Sequence, residues 1–365
     1  MPAHYRQTPP SASGRSRHDP VLALAGAGIA GLFTATAAVR RLRPPQRRAA
    51  DTLALALRQR RVVARDQDVV ELTLAATDGS ALPRWYPGAH LDVHLPSGRI
   101  RQYSLCGDPS DAGEYRIAVR RIPAGGGGSM EVHDALTPGS VVHTHGPRNA
   151  FPLSVPGHGS PTRRVRFIAG GIGITPILPM LRSAHRLGVE WSMIYTGRSR
   201  DSLPFVDEVA AFGPAVQVRT DDESGLPSAT TLLGDCPEGT AVYACGPAPM
   251  LTAVRAALID RADVELHFER FAAPPVHDGR PFEVTVASTG TTIAVDAQES
   301  LLTALRRSGV AAPYSCQQGF CGTCRVRVLE GEVDHRDTLL TDPERAAGMM
   351  LTCVSRAAGA LTIDL

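Results

Sequence analysis

The stretch Cys316-Gln-Gln-Gly-Phe-Cys321-Gly-Thr-Cys324, followed by Cys353 after 28 intervening residues, decides the fold of the C-terminal part of this chain. The spacing C-x4-C-x2-C…C is that of plant-type [2Fe–2S] ligation by four thiolates. Gly319 and Gly322 permit positive φ and a close backbone approach, so that amide N–H groups can point at the cluster sulfurs. Buried free cysteines and a zinc site are the alternatives, and zinc sites more often show paired CxxC.

The residues around this loop predict a small α+β ferredoxin module of β-grasp type over 281–365. A hairpin, Phe282–Ala287 then Thr291–Val295, turns at Thr289-Gly290, and a helix follows near Glu299–Arg307. The Pro- and Gly-containing stretch AAPPVHDGR over 272–280 reads as a linker into this module.

Strands and helices alternate over 161–271, which predicts a nucleotide-binding domain with a parallel sheet. The motif Gly170-Gly171-Ile-Gly173-Ile-Thr175-Pro176 directly follows a predicted strand and opens a helix. Such a turn lets the backbone approach a pyrophosphate at a helix N-terminus, although Thr175 replaces the usual third glycine. Cys245-Gly246-Pro247 follows another strand and is expected at the same edge of the sheet.

Short strands with turn punctuation over 51–160 predict an antiparallel β-barrel. Turns are predicted at Asp78-Gly79, at Pro96-Ser97-Gly98 and at the four-glycine run 125–128. The predicted strands are 61–63, 69–74, 89–95, 100–105 and 115–120.

The motif Arg101-Gln-Tyr103-Ser104-Leu105 lies near the end of one barrel strand, and Gly127-Gly128-Ser129 lies downstream. An arginine fork can hold a phosphate, and a tyrosine can lie against a ring system. The glycine amides and the serine hydroxyl suit further phosphate contacts. Taken alone, a Tyr–Ser pair in a strand is more often ordinary β packing.

The first fifty residues form an extension of different composition. They carry eight Arg and one Asp, a charge of +7, whereas the remaining chain carries −5. Asp19 as N-cap, Pro20, an uncharged run and the arginines near 40 predict a helix over about Pro20–Leu42. Its Ala and Gly content favours a surface helix over a membrane span, with at most weak surface association through 1–50.

Composition excludes several classes of function. The chain has no Lys, which excludes Schiff-base chemistry and a Walker P-loop, and it has no HExxH motif. A net charge of +2 and 5% aromatic residues disfavour nucleic-acid binding. Four of the seven cysteines crowd the C-terminal fifth of the chain, which indicates metal ligands in a reducing compartment, so a cytoplasmic location is expected.

Taken along the chain in the order flavin, nicotinamide, then ferredoxin, the three motifs resemble those of the phthalate dioxygenase reductase and vanillate demethylase reductase family, flavin iron–sulfur reductases that serve Rieske oxygenases. The resemblance covers about 60–365, and the N-terminal extension has no counterpart in it. It implies that FMN is the flavin, that NADH is the electron donor, and that a plant-type [2Fe–2S] cluster passes the electrons on to the acceptor. It also implies a ferredoxin-reductase-like fold with a C-terminal ferredoxin domain.

The resemblance also assigns residues. Those assigned to the flavin and its phosphate are Arg101, Tyr103, Ser104, Gly127, Gly128 and Ser129. Those assigned to the nicotinamide nucleotide are Gly171, Gly173, Thr175, Thr196, Arg198, Cys245 and Gly246. Glu269 and Phe271 match a segment near the flavin face, and the metal ligands are Cys316, Cys321, Cys324 and Cys353. Arg198 and Arg200 could favour a 2′-phosphate, which keeps NADPH open.

The expected activity is that of an enzyme that splits the two electrons of a hydride. Electrons pass from NADH through the flavin to the cluster and then singly to a Rieske-type oxygenase; no side-chain acid or base is needed. The alternatives are an NAD(P)H reductase for a diiron oxygenase or a cytochrome P450, and an electron-carrier module without flavin turnover.

Overall fold

The computed structural model describes residues 52–365 except 67, 124–125, 157–160, 272, 320 and 338. The predicted helix over Pro20–Leu42 and the rest of the extension lie outside the described residues. Within the described part, no helix combines the length and apolar character needed to cross a bilayer.

The first sheet is the predicted antiparallel barrel. Its strands are β1 (Thr52–Ala64), β2 (Val69–Ala76), β3 (Ala89–His94), β4 (Ile100–Ser104), β5 (Tyr115–Arg120) and β6 (Val141–Asn149), with helix α1 (Gly128–Ala135) between the last two. They pair in the order β4-β3-β6-β1-β2-β5, and a bridge between Leu105 and Ile117 links the two ends. Inward-facing leucines such as Leu55, Leu72 and Leu91 are completely buried or nearly so, because a closed sheet shields one face from water.

The prediction from the sequence was wrong about two features of this barrel. The four-glycine run 125–128 was predicted as a turn, but its last residue, Gly128, begins α1. The first strand was predicted over 61–63, whereas β1 runs from Thr52 to Ala64 and pairs with both β2 and β6. The central polar residues Gln59, Arg60 and Arg61 pair with β2, and this cross-strand pairing overrides their weak strand propensity.

The second sheet is parallel, as predicted. Its strands are β7 (Arg164–Gly170), β8 (Glu190–Gly197), β9 (Val216–Thr220), β10 (Thr240–Cys245) and β11 (Val264–Glu269). Its helices are α2 (Ile174–Arg186), α3 (Val206–Ala210), α4 (Asp221–Ser224), α5 (Ala229–Leu233) and α6 (Ala248–Ala257). The strand order β11-β10-β7-β8-β9 reverses between β7 and β10, and ligands bind parallel sheets at the carboxyl ends beside such a reversal.

The third sheet belongs to the predicted ferredoxin module. Its elements are β12 (Phe282–Val286), β13 (Thr291–Val295), α7 (Leu301–Arg307), β14 (Arg325–Glu330), β15 (Val333–Asp334), α8 (Asp342–Ala346), β16 (Met349–Leu351), β17 (Arg356–Ala357) and β18 (Leu361–Asp364). The main sheet has the order β13-β12-β18-β14-β16, and β15 pairs separately with β17. Ser300 caps α7 by accepting a hydrogen bond from the Thr303 N–H, and Leu301 and Leu305 are fully buried in the module core.

The fold class predicted from the sequence is thereby confirmed: a flavin-type barrel, a parallel nucleotide sheet and a ferredoxin sheet follow one another along the chain. The boundaries predicted between these modules stay a prediction.

Candidate functional site

A cavity of about 210 Å³ lies where the three sheets meet. Its barrel wall comes from β4, β5 and the start of α1, its second wall from the turn after β7 and the end of β11, and its third wall from the start of the cysteine loop. Eight of the predicted site residues line it, namely Arg101, Tyr103, Ser104, Ser129, Thr175, Glu269, Phe271 and Cys316. The structure therefore brings together residues from all three motifs.

The barrel wall presents four consecutive residues of the motif to the cavity, namely Arg101, Gln102, Tyr103 and Ser104. Tyr103 and Ser104 end β4, and Ser104 donates a side-chain hydrogen bond to the Glu269 carboxyl group at the end of β11. This bond joins the barrel to the nucleotide sheet across the cavity. Arg101 also lines the cavity, and its Nη2 donates to the Gly126 carbonyl oxygen at 3.2 Å.

Of the predicted glycine–serine phosphate residues, only Ser129 faces the cavity. Its hydroxyl accepts a hydrogen bond from the Ile122 N–H at 3.0 Å, which ties the start of α1 to the end of the strand before it. Gly127 and Gly128 lie beside the cavity, packed against arginine side chains. A Cβ atom on Gly128 would lie 2.5 Å from Arg101 Nε, so the arginine occupies space that only glycine leaves open.

The predicted nucleotide residues lie at the carboxyl edge of the parallel sheet, as the motif order implies. Thr175 is buried in the first turn of α2 and lines the cavity. Gly171 has φ +53 and nothing within 4 Å of its Cβ position, so its face is open. A Cβ atom on Gly173 would clash with the Cys245 carbonyl oxygen, so this glycine lets the turn pack against Cys245-Gly246.

The remaining predicted nucleotide residues lie away from the cavity lining. Thr196 is buried, and its hydroxyl donates to the Ala169 carbonyl oxygen at 3.4 Å. Cys245 is fully buried, and this burial raises the pKa of its thiol well above the usual value. Arg198 is exposed just beyond β8, near enough to Arg120 for its charge to lower the pKa of Arg120 further than burial alone does.

Glu269 is the residue of the site whose carboxyl group has an unusually high pKa. Burial raises the pKa of its carboxyl group to about 8, against a smaller lowering by the Ser104 hydrogen bond. Its Oε2 atom is inaccessible to solvent and has no hydrogen-bond partner among the described residues. A carboxyl group in this setting holds its proton at neutral pH and has donor capacity left for a ring placed in the cavity.

The four predicted ligand thiols form two pairs. The side chains of Cys316 and Cys321 share a hydrogen bond, and so do those of Cys324 and Cys353. The hydrogen bond with Cys316 is the main reason why the pKa of Cys321 falls to about 5. In the described ranges no three His, Cys, Asp or Glu side chains converge on a single metal ion. Two thiol pairs fit a group with two irons, each holding two thiolates.

The backbone of the loop supports this fit. The amides of Gln318 and Thr323 donate to Cys316 Sγ and Cys321 Sγ at 3.3 and 3.5 Å. Gln317, Gly319 and Gly322 all have positive φ, which turns successive N–H groups towards the sulfurs. Amide donors of this kind stabilise charge on cluster sulfurs.

Sequence reasoning missed several residues of the site. His90, Arg120, Ile172, Arg270 and Gln318 also line the cavity. Tyr314 and Arg306 of the ferredoxin module contact Arg101 and Gly126. Gln318 lies inside the quoted cysteine loop, so its position could have been noted. Ile172 likewise lies inside the quoted glycine motif, and Arg270 lies between Glu269 and Phe271. The others gain their place through tertiary packing, which no local pattern reports.

Comparison with known proteins agrees with this arrangement. Residues 54–152 match the family model of the oxidoreductase FAD-binding domain, and residues 284–358 match that of the 2Fe-2S iron-sulfur cluster binding domain. Phenoxybenzoate dioxygenase subunit beta of Ectopseudomonas oleovorans is 41% identical over 304 residues, which cover 82% of this chain and 93% of that protein.

Two solved structures share the whole three-sheet arrangement. Phthalate dioxygenase reductase, described as a modular structure for electron transfer from pyridine nucleotides to [2Fe–2S], is 32% identical with a TM-score of 0.62, covering 86% of this chain and 98% of that one. An intact type IV self-sufficient cytochrome P450 monooxygenase is 38% identical with a TM-score of 0.63, over 86% of this chain and 41% of that longer chain. The protein belongs to the phthalate dioxygenase reductase and vanillate demethylase reductase family, the flavin- and [2Fe–2S]-dependent reductase components of oxygenase systems.

Proposed function

We propose that this chain oxidises NADH at FMN and delivers the electrons one at a time, through [2Fe–2S], to a Rieske-type oxygenase. The observation that carries the proposal is the cavity lined at once by Tyr103 of the barrel, Thr175 of the nucleotide sheet and Cys316 of the cysteine loop. When bound, FMN converts a two-electron hydride into single electrons and the cluster carries one electron at a time.

The chain's own residues supply position and exclusion of water. Tyr103 offers a ring face on the barrel wall, and Ile172 and Thr175 form the side from which a nicotinamide would enter. Phe271 is 48% exposed at the end of the nucleotide module and can cover a ring in the cavity. Glu269 holds a proton on its carboxyl group beside Ser104, within the same cavity.

The cysteine loop is held against this cavity by a direct contact. The Gln318 side-chain amide donates to the Arg270 carbonyl oxygen, which joins the loop to the end of the nucleotide module. Cys316 and Gln317 then form part of the cavity wall. This contact supports direct transfer from the flavin to the cluster without an intermediate carrier.

FMN, and not FAD, is the proposed flavin, because the arginines beside the barrel motif suit a terminal phosphate. The family that residues 54–152 match is nevertheless described as FAD-binding. NADH is the proposed donor, in keeping with the family resemblance. NADPH is the competing donor, because Arg198 stands exposed after the second strand of the sheet, where a 2′-phosphate would be read.

A Rieske centre is the proposed acceptor. A plant-type cluster has a potential near about −400 mV and Rieske centres lie at roughly −150 to +300 mV, so the transfer is downhill. A cytochrome P450 is the second candidate, favoured by the 38% identity to part of a self-sufficient P450. None of the seven cysteines, all of which lie in the described part of the chain, forms a disulfide, which supports a cytoplasmic location.

The purified full-length chain tests the proposal. Its extracted flavin should run as FMN, and iron and acid-labile sulfide should be present in equal amounts. Under anaerobic conditions NADH should bleach both the flavin and the cluster bands faster than NADPH does. Turnover with a Rieske oxygenase should exceed turnover with a P450. FAD in the extract, zinc in place of iron, or preference for NADPH would each contradict the corresponding part.

A further inference from the structure

We infer that the ferredoxin module completes the site for the flavin's phosphate with Arg306 and Tyr314, and that these two residues make the site selective for a flavin that ends in a phosphate. The inference rests on the proposed flavin site and extends it to residues outside the barrel. It assigns the ferredoxin module a role in holding the flavin as well as in taking its electrons.

Three consecutive glycines each face a different guanidinium group. A Cβ atom on Gly126 would lie 2.6 Å from Arg306 Nη2, one on Gly127 3.6 Å from Arg99 Cζ, and one on Gly128 2.5 Å from Arg101 Nε. Arg99 and Arg101 flank one residue of the barrel, whereas Arg306 lies on α7, about two hundred positions along the chain. A side chain at Gly126 or at Gly128 would push the Arg306 or the Arg101 guanidinium group away, whereas Arg99 lies at an ordinary contact distance from Gly127.

The cluster of Arg99, Arg101 and Arg306 is short of negative charge. Among the described residues, Arg99 pairs with Glu131 at 3.3 Å, and neither Arg101 nor Arg306 has a carboxylate within salt-bridge distance. Arg101 is half-buried, and burial together with the charges of Arg99 and Arg306 lowers its pKa. Like charges gathered around a partly buried cation favour a bound anion, and a phosphate monoester offers close to two negative charges.

Tyr314 binds the two arginines to each other. The guanidinium carbons of Arg101 and Arg306 lie 4.4 and 4.5 Å from the centroid of its ring, and Arg101 Nη2 donates to Tyr314 Oη at 2.5 Å. Such cation–π contacts hold the ring in place beside the glycine run. The phenolic hydroxyl remains able to donate a hydrogen bond to a phosphate oxygen.

This arrangement closes the phosphate end of the flavin site with parts of another module. A terminal phosphate can bind among the arginines, where the flavin then ends. In FAD the phosphate continues into a second phosphate and adenosine, which would need the space that Tyr314 and Arg306 occupy. Bound phosphate and a docked ferredoxin module therefore support each other, since the same anion neutralises arginines from both.

The test measures flavin binding by the full-length chain, depleted of flavin but retaining its cluster. Dissociation constants for FMN, FAD and riboflavin are obtained from flavin fluorescence for the wild type and for Arg306→Ala, Tyr314→Ala and Arg307→Ala. Arg307 is the matched control, because it is the next residue of α7 and donates instead to Glu299 and the Ala294 carbonyl oxygen. The visible spectrum of the cluster checks that the ferredoxin module is intact in each variant.

Arg306→Ala should weaken FMN binding about tenfold or more, as loss of a charge-assisted hydrogen bond does, and leave riboflavin binding unchanged. Tyr314→Ala should narrow the preference of the protein for FMN over FAD, and Arg307→Ala should resemble the wild type. Unchanged FMN affinity in Arg306→Ala, or equal losses for FMN and riboflavin, would overturn the inference while leaving the proposed function intact. A wild type that binds no flavin would instead overturn the proposed function itself, and one that prefers FAD would overturn both the FMN assignment and this inference.

Discussion

The cysteine loop and the arginine–glycine cluster reach the same cavity, the loop through Cys316 and the cluster through Arg101, but they are encoded in opposite ways. Three of the four proposed cluster ligands fall within nine consecutive residues, and the amides of Gln318 and Thr323 already point at two of the sulfurs. The arginine–glycine cluster draws on Arg99 and Arg101, on Gly126–Gly128, and on Arg306 and Tyr314. A metal site needs ligands at close, fixed positions, and here most of them are close in sequence. A site that needs only converging charges is assembled instead by packing between modules.

The largest expected effect tests the local half of this comparison. Cys316→Ser should lower NADH-dependent reduction of cytochrome c, or of the oxygenase, by more than about a hundredfold, because one iron loses a thiolate ligand. Reduction of ferricyanide by NADH should survive, since the flavin can serve that acceptor directly. Both rates are measured spectrophotometrically, with iron content determined alongside.

Cys236→Ser is the control for the loss of a thiol, because Cys236 packs in a separate core of the parallel sheet. It should retain both activities. If Cys316→Ser lost both activities while it kept its flavin and its fold, the linear path from flavin to cluster would be wrong.

The same contrast explains how much could be read from the sequence. The four proposed ligands were placed by their spacing, and the turn around Gly171 and Thr175 was placed by the preceding strand. This turn lies at the predicted edge of the parallel sheet. Helix α1 was missed because glycine has poor helix propensity, yet the helix begins at the last glycine of the run. Arg306 and Tyr314 carry no local signal, since an exposed arginine on a helix reads as a solvated surface residue.

Glu269 shows a third situation. The family resemblance marked its segment, but its raised pKa depends on burial between β11 and the barrel, which only the folded chain creates. The same holds for Cys245, whose complete burial makes it a packing residue in the turn against Gly173. Burial is a tertiary property, so a motif alone does not state how its titratable groups behave.

A smaller effect is expected at the tertiary half of the comparison. Gly126→Ala should weaken FMN binding about tenfold, because the added methyl group would displace the guanidinium of Arg306 and the Tyr314 hydroxyl. Gly139 is the matched control: its φ of +96 is also positive, and nothing lies within 4 Å of its Cβ position. Gly139→Ala should cost about 1 kcal/mol of backbone strain and leave flavin binding unchanged.

Titration with FMN, monitored by quenching of flavin fluorescence, separates the two variants, and thermal unfolding measures their stability. Equal flavin affinities in Gly126→Ala and Gly139→Ala would show that positive φ, rather than the arginine contacts, accounts for glycine in the run.

The next effect concerns stability against pH at Glu269. Its folded pKa of about 8 exceeds the ordinary value of 4.5, so between these values the unfolded chain holds fewer protons than the folded one. Stability therefore falls as the pH rises from about 4.5 to about 8. Glu269→Gln keeps the shape and removes this dependence, which should stabilise the protein at pH 9 by several kcal/mol relative to the wild type.

Urea unfolding of both proteins at pH 5.5, 7 and 9 checks this, with the exposed Glu238→Gln as control. A bound ring would bury the carboxyl group further, so the direction is the same with flavin present. A difference between wild type and Glu269→Gln that does not change with pH would mean that the carboxyl group is ionised in the fold.

The smallest expected effect sharpens the comparison by asking where the site ends. Both regions compared above lie within 52–365, so deletion of residues 1–50 should leave flavin content, iron content and NADH turnover within experimental error of the full chain.

The deleted segment carries a charge of +7 against −5 for the rest, which favours electrostatic docking on an acidic surface. Docking of that kind weakens with salt, because the Debye length falls from about 10 Å at 0.1 M to about 3 Å at 1 M. Proteolysis near Arg40–Arg48 should therefore speed up at high salt in the full-length chain. Full-length protein that stayed with membranes after a high-salt wash would indicate a spanning segment instead, and a loss of flavin on deletion would extend the site beyond the three modules.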